Sequence, residues 1–552
     1  MRLDLAPRSL LTPLALAAQV ALAAAAASTV PAAAGDPPTF HRDVAPILRR
    51  HCVTCHAPGE VAPMSLRTYQ ESRPWAKTIA RNVRERRMPP WHAEPGGLRF
   101  ANDRSLAPEH VDTLVRWAQA GAIEGDPAGA DGALPPPPDS EWRLGEPDLV
   151  LELDAVEVPA GGPDRFRLVA ADSAGDPGRA DERWISAIEV LPGDRSVVHH
   201  VLLWVGRPEG GQHSLLGGWA AGTEPLRFPA GTARRLPAGH PLLADVHYHP
   251  TGTATTDRTR LGIHFVDPAS VEKELTALWI LDAEFEIPPG APRHPSRASH
   301  TFLEPVRVHG LTPHLHYRGT DASYTAFYPD GRRQELLRVK WDFNWQTCYW
   351  LAEPLDLPAG TRLEIAAHWD NSAANPANPD PTRAVRWGPG STDEMLIGFV
   401  DYVPLEGRSP DALPLILGKL PELIERYPGE VWMVDLPPTP GVAPVPTALR
   451  LPRVGSGAWY LQLATTVFPV PIEPLEWNGD SLRARVDFGE LESLLGKAPP
   501  GAVFELSGEL DPATGTLELT LGTPAGIHTI EGVRAEAFEL GAPAEASSRA
   551  GG

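Results

Sequence analysis

The 552-residue chain is interrupted by 62 prolines and 50 glycines, with no collagen-like period. Proline breaks helix interiors and central strands, and glycine weakens both. A chain interrupted this often builds short elements, so brief strands joined by turns are expected in place of long helices. Apolar residues make up 42% of the chain and charged residues 22%. Those are globular proportions, enough for three or four cores at about 150 residues per domain.

Only 3 cysteines are present, too few for a disulfide framework, so stability must come from core burial. The net charge of -21 excludes nucleic acid as a partner, because phosphate binding needs a basic face. At the start, Arg2 and Arg8 precede an apolar stretch from Leu10 to about Ala27, then small residues to Ala34. Residues 1–34 therefore read as a signal peptide, with a membrane anchor as the alternative. No other stretch approaches the roughly 20 apolar residues of a spanning helix. The expectation is a secreted or periplasmic protein with no stable membrane span.

Residues 38–126 read as helical, with apolar residues at helix spacing in Phe40–His51, Tyr69–Arg87 and Pro108–Ala120. Residues 127–145 are a Pro/Gly-rich linker carrying Pro135 to Pro138 in a row. From 146 to 404 strand patterns follow one another, as in Trp184–Val190, Val197–Val205, Leu243–Tyr248 and Arg362–His368. Strands at this spacing predict antiparallel sandwiches or jelly rolls. The length suits two such domains, 146–272 and 273–404. The remainder, 405–552, is a β-rich segment of unassigned role, with a short helix at Leu413–Tyr427. The expected class is mainly β: two jelly-roll-like β-sandwiches, a small all-α unit before them and a β-rich segment after.

Cys52-Val53-Thr54-Cys55-His56 has the spacing of a c-type haem attachment site. Two thiols on one helical turn can add to the two haem vinyls, and the adjacent His56 can turn its imidazole onto the iron. A zinc half-site or a redox disulfide are the alternatives. Met88, in a loop after a helix, and Met64 are the two candidates for the opposite axial ligand, and a thioether there raises the potential. The 38–126 segment resembles small bacterial cytochrome c domains.

Three histidine groups follow: His199-His200, His247-Tyr248-His249 and His314-Leu315-His316. Residues two apart on a strand share a face, so His314 and His316 can clamp one metal. His199 and His200 are adjacent and would point oppositely, unless a bulge or strand end turns them together. Imidazole sets suit copper or zinc, and an added thioether favours copper cycling through Cu(I).

These residues, in this order and together with Thr392-Asp393-Glu394-Met395, resemble the copper type II, ascorbate-dependent monooxygenases. Those are the relatives of peptidylglycine and dopamine β-monooxygenases. Gly218-Trp219-Ala220-Ala221-Gly222, Asp342-Phe343-Asn344-Trp345-Gln346 and Asp370-Asn371-Ser372 support the likeness, which spans roughly 185–405. It implies two copper ions across an open, solvent-filled cleft. One would be an electron-transfer copper on His199, His200 and His247. The other would be a catalytic copper on His314, His316 and Met395. The implied reaction hydroxylates an sp³ C–H of a small organic substrate with O2, using two electrons from an ascorbate-type donor. His249 is left unassigned. The disulfides of animal members do not transfer, since this region has only Cys348. With a haem on the same chain, the cytochrome unit or a periplasmic donor is a second electron source, and the linker would let the haem approach. The rival reading is a non-catalytic haem/copper carrier.

Overall fold

The computed structural model describes residues 36–58, 60, 62–127, 141–170, 181–206, 214–220, 223–407, 415–426, 429–436, 445–451, 459–463, 470–478, 481–487, 503–511, 514, 516–523 and 526–535. The expected signal segment and residues 128–140 of the expected linker lie outside the described residues. The chain is mainly β, as its broken sequence requires. The expected strands appear within a residue or two, for example Arg183–Leu191, Val198–Val205, Leu242–Tyr248 and Arg362–Trp369.

Residues 146–272 contribute two sheets. One orders Leu149–Glu152, Arg260–Val266, Arg183–Leu191 and Thr232–Leu236; the other orders Arg165–Ala170, Leu242–Tyr248, Val198–Val205 and Ser214–Ala220. Period-two alternation sends Val201, Leu203 and Val205 from one strand, and Leu242, Ala244 and Val246 from its neighbour, into a shared core with Leu151, Ile185 and Ile188. Residues 273–404 repeat the plan. Thr276–Asp282, Leu396–Pro404, Val306–His314 and Tyr349–Leu357 form one sheet; His294–Thr301, Arg362–Trp369, Gly319–Phe327 and Arg333–Lys340 form the other. Between them lie Val308, Leu311, Tyr324, Leu337, Ile365 and Trp369.

The two sets of sheets are joined by strand pairing and a buried ion pair. Lys273–Glu274 pairs in parallel with Thr232–Ala233 of the first unit. Deeper in, the Arg234 guanidinium of the first unit meets the Asp401 carboxylate of the second, both buried. The Cys348 thiol lies beside that carboxylate at 3.9 Å.

The helical unit is small: Ala45–His51, Ala76–Arg84 and Pro108–Gln119 pack through Phe40, Leu48, Ile79, Val83, Leu114 and Trp117. Pro74 splits the expected Tyr69–Arg87 helix into a short Tyr69–Ser72 turn and the later helix. Residues 91–102 leave these helices and fasten onto the second β unit. Glu94 N donates to Arg338 O, Ala101 N to Trp350 O, and Asn102 Nδ2 to Cys348 O. Trp91 and Phe100 pack edge-on against Tyr349 at 4.9 and 5.5 Å. Arg195 of the first β unit approaches Glu60 at 4.0 Å, and Glu224 approaches Arg104 at 3.9 Å. The haem-motif unit thus contacts both β units.

The C-terminal segment is more regular than its sequence suggested. After the Leu415–Arg426 helix, eight strands from Val431–Leu436 to Gly526–Arg534 pair in chain order, and the last closes on the first. Closure removes exposed strand edges. Trp432, Leu449, Leu482, Leu506, Leu519 and Ile530 fill the interior. Arg426 to Asp282 (3.1 Å) and Arg450 to Glu284 (2.7 Å) seat the helix and barrel on the second β unit.

Truncating one partner of a buried ion pair strands the other charge, at about 3–5 kcal/mol. Asp401→Ala is therefore expected to lower the denaturant midpoint strongly, while Arg234→Met with Asp401→Leu recovers much of the loss. Chemical denaturation of the three proteins checks this.

Candidate metal centres

The first histidine group shows how adjacent residues come to share a face. Along Val198–Val205 the buried Val201, Leu203 and Val205 face the core, so Leu202 and Trp204 face outward with His200. A regular strand would turn His199 inward. Instead the ladder slips: Val198 pairs with Tyr248 and His200 with His247, leaving His199 as an extra residue in a β-bulge. The bulge brings both imidazoles to His247, their direct cross-strand neighbour. A ring nitrogen from each of His199, His200 and His247 lies within 4.8 Å of the others, and the Nδ1 atoms of His199 and His200 are 3.2 Å apart. Ligands about 2.0–2.1 Å from a tetrahedral metal stand about 3.3 Å from each other.

His247 is buried, and neither of its ring nitrogens has a hydrogen-bond partner. Phe166 stacks on it at 4.3 Å, and an Asp164 oxygen lies 3.1 Å from Nε2 without hydrogen-bonding geometry. The other Asp164 oxygen accepts from His249 Nδ1 at 2.8 Å. His249, unassigned from sequence, therefore stands outside the cluster, behind Asp164. Burial raises the Asp164 carboxyl, but the histidines and Ser391 outweigh this and hold it well below the usual carboxylate range.

The second group sits on the facing unit. In Val306–His314, Leu311 enters the core while His314 pairs with Ile397 on the opposite face. His314 Nδ1 donates to Gln346 Oε1 at 2.7 Å. His316 Nδ1 meets the Asp393 carbonyl at 3.2 Å, and His316 N donates to Glu394 at 2.9 Å. Each ring is thereby oriented through Nδ1 with Nε2 left for a ligand, the second-shell arrangement of metal-binding histidines. The rings are 5.2 Å apart and perpendicular. Met395 stands just before the Leu396–Pro404 strand, packed against Leu281 and Ile397 on the face His314 shares. Buried Glu394 also accepts from Arg318 N and Trp369 Nε1; burial lifts its carboxyl to about 8 despite those bonds.

The groups face one another across a single ring. Phe343 stacks on His199 at 4.6 Å and 17°, and meets His316 edge-on at 6.2 Å. Ser391 of the second unit helps hold the Asp164 carboxyl of the first unit low, and Trp204 lies 5.4 Å from Trp279. Aromatic rings thus stand between the two histidine groups. Asp164 and Phe166 had no local signature: each reaches its histidine across a strand pair from some 80 residues away in sequence.

At the haem motif, Cys55 N and His56 N both bond Cys52 O, at 3.1 and 2.9 Å, so the two thiols and the imidazole share one turn. Burial lifts the Cys52 thiol to about 12 and raises Cys55 as well. His56 Nδ1 donates to the Met64 carbonyl at 3.2 Å, leaving Nε2 for iron. That contact sets the Met64 backbone carbonyl beside Nδ1 of the imidazole. Met88 lies beyond the Ala76–Arg84 helix, with its N–H on the Asn82 carbonyl.

No family model and no curated protein matches the chain. Among solved structures, the major capsid protein P2 of bacteriophage PM2 is similar over 47% of this chain and 98% of its own, at 9% identity and a TM-score of 0.21. So low a likeness carries no argument about fold or function.

Burial, with neighbouring imidazoles, lowers His199 to about 3; burial, against the Gln346 bond, lowers His314 to about 4. In the unfolded chain both titrate near 6.5, so that state binds more protons below this pH. Metal-free protein is therefore expected to lose stability as pH falls from about 6.5 toward 4. His199→Gln and His314→Gln should flatten the slope, as read by urea unfolding across that range.

Proposed function

We propose that the protein is an exported, copper-dependent monooxygenase that hydroxylates an sp³ C–H of a small organic substrate with O2. The observation that carries this reading is the bulge-built cluster of His199, His200 and His247 facing the oriented pair His314 and His316. The paired sheets around each group fit two sandwich-type copper domains. Buried His247, with Asp164 beside Nε2 and no partner on Nδ1, fits a metal ligand better than a core histidine.

His199, His200 and His247 would hold one copper, and His314, His316 and Met395 the other. Copper there supplies one-electron cycling and O2 activation, and the Met395 thioether favours Cu(I) at the second centre. The protein's share is orientation: Gln346 and the Asp393 carbonyl hold the second pair, and Phe166 backs His247. Cys52, Cys55 and His56 would hold a covalent haem, with Met88, in the loop after the Ala76–Arg84 helix, as opposite ligand, since Met64 is only eight residues past His56. The docked haem unit supports the haem as an electron source within the chain, beside an ascorbate-type or periplasmic donor.

One observation favours the rival carrier reading: Phe343 occupies the space between the centres, where a substrate would enter. Copper and haem quantification followed by O2-uptake screening separates the two. Under the monooxygenase reading, Met395→Ala abolishes O2-dependent product while copper at the first centre is retained. Two coppers and a haem with no oxidised substrate in any screen would favour the carrier.

A further inference from the structure

One short turn touches both candidate centres and the haem-bearing segment. Asp342 Oδ1 accepts from Asn344 N at 3.0 Å and Asn344 Nδ2 at 2.9 Å, and Trp345 N donates to Asp342 O at 3.0 Å. These local bonds give the turn a defined shape without any metal. From it Phe343 stacks on His199 of the first unit, while Gln346 holds His314 of the second. Its base is gripped by the haem-motif unit: Lys340 N donates to His92 O at 3.1 Å, and the His92 ring lies 3.9 Å from Asp342.

His199 has particular need of such a prop. As the extra residue of a bulge it lacks a regular ladder position, and among the described aromatic rings its neighbours are His200, His247 and Phe343. His247, by comparison, is backed by Phe166 on its own sheet.

We propose that the Asp342–Gln346 turn is a shared positioning element, through which the second β unit sets the metal affinity of the first centre by way of Phe343. Phe343 is a positioning residue, since it acts on the metal only through His199. It rests on the copper reading above, and it makes the first centre dependent on docking of the two units.

The test uses the full-length, haem-containing protein, stripped of copper and titrated with Cu(II) against a competing chelator. Spectra from His200→Ala and His316→Ala proteins assign each centre. Removing a group that orients a metal ligand weakens binding by about 10- to 100-fold. Phe343→Leu, which keeps apolar bulk but loses the flat ring, should weaken the first centre by that factor and leave the second unchanged. Phe343→Tyr, which keeps the ring, should restore it, whereas a variant effect due to misfolding would weaken both centres. Gln346→Ala should weaken the second centre. Wild-type copper binding with an unaltered first-centre affinity in Phe343→Leu overturns the positioning role alone. Copper binding in the His200→Ala protein equal to that of the wild type overturns the copper reading, and the proposal with it.

Discussion

A β-ladder allows one side chain per face at every second position, and the first histidine group needs two in succession. The extra residue at His199 resolves that conflict. It turns His199 toward the face that His200 and His247 already share, and it places the cluster at the seam with the second unit. What surrounds the cluster follows from this. A bulged residue is poorly held by its own sheet, so Phe343 arrives from the opposite unit to support it. Buried imidazoles must stay neutral, and the neighbouring imidazoles and burial keep His199 so.

The seam that carries the site is held by groups that would be unfavourable apart. Arg234 and Asp401 are buried against each other, and Asp164 is shared between two histidines and Ser391. Separation would leave these charges unpaired in low dielectric. The haem-motif unit adds a third grip by lending residues 91–102 to the second unit's sheets. The three units thus meet around the histidines, while the C-terminal helix and barrel attach to the second β unit through their own ion pairs.

Much of this was legible in the residues. Proline and glycine spacing indicated short strands, but the unbroken apolar run Val201 to Val205 could not say which face is buried; the sheet's packing decides that. The i, i+2 spacing of His314 and His316 sufficed to pair them. For His199 and His200 the sequence posed a problem without its answer, because a bulge depends on cross-strand register and not on local composition. Asp164, Phe166 and the grip of residues 91–102 were invisible for the same reason: each is a contact between distant segments. Barrel closure too was hidden, since strand alternation is the same in an open sheet and a closed one.

The central claim is that two metal ions sit in two specified histidine sets of one chain. Anomalous diffraction at the copper edge, from crystals of the full-length protein grown with copper, tests it most directly. The account predicts two peaks, one among His199, His200 and His247, the other beside His314, His316 and Met395. A copper-edge map with no peak at the His199 bulge, or with copper bound elsewhere on the chain, would contradict it.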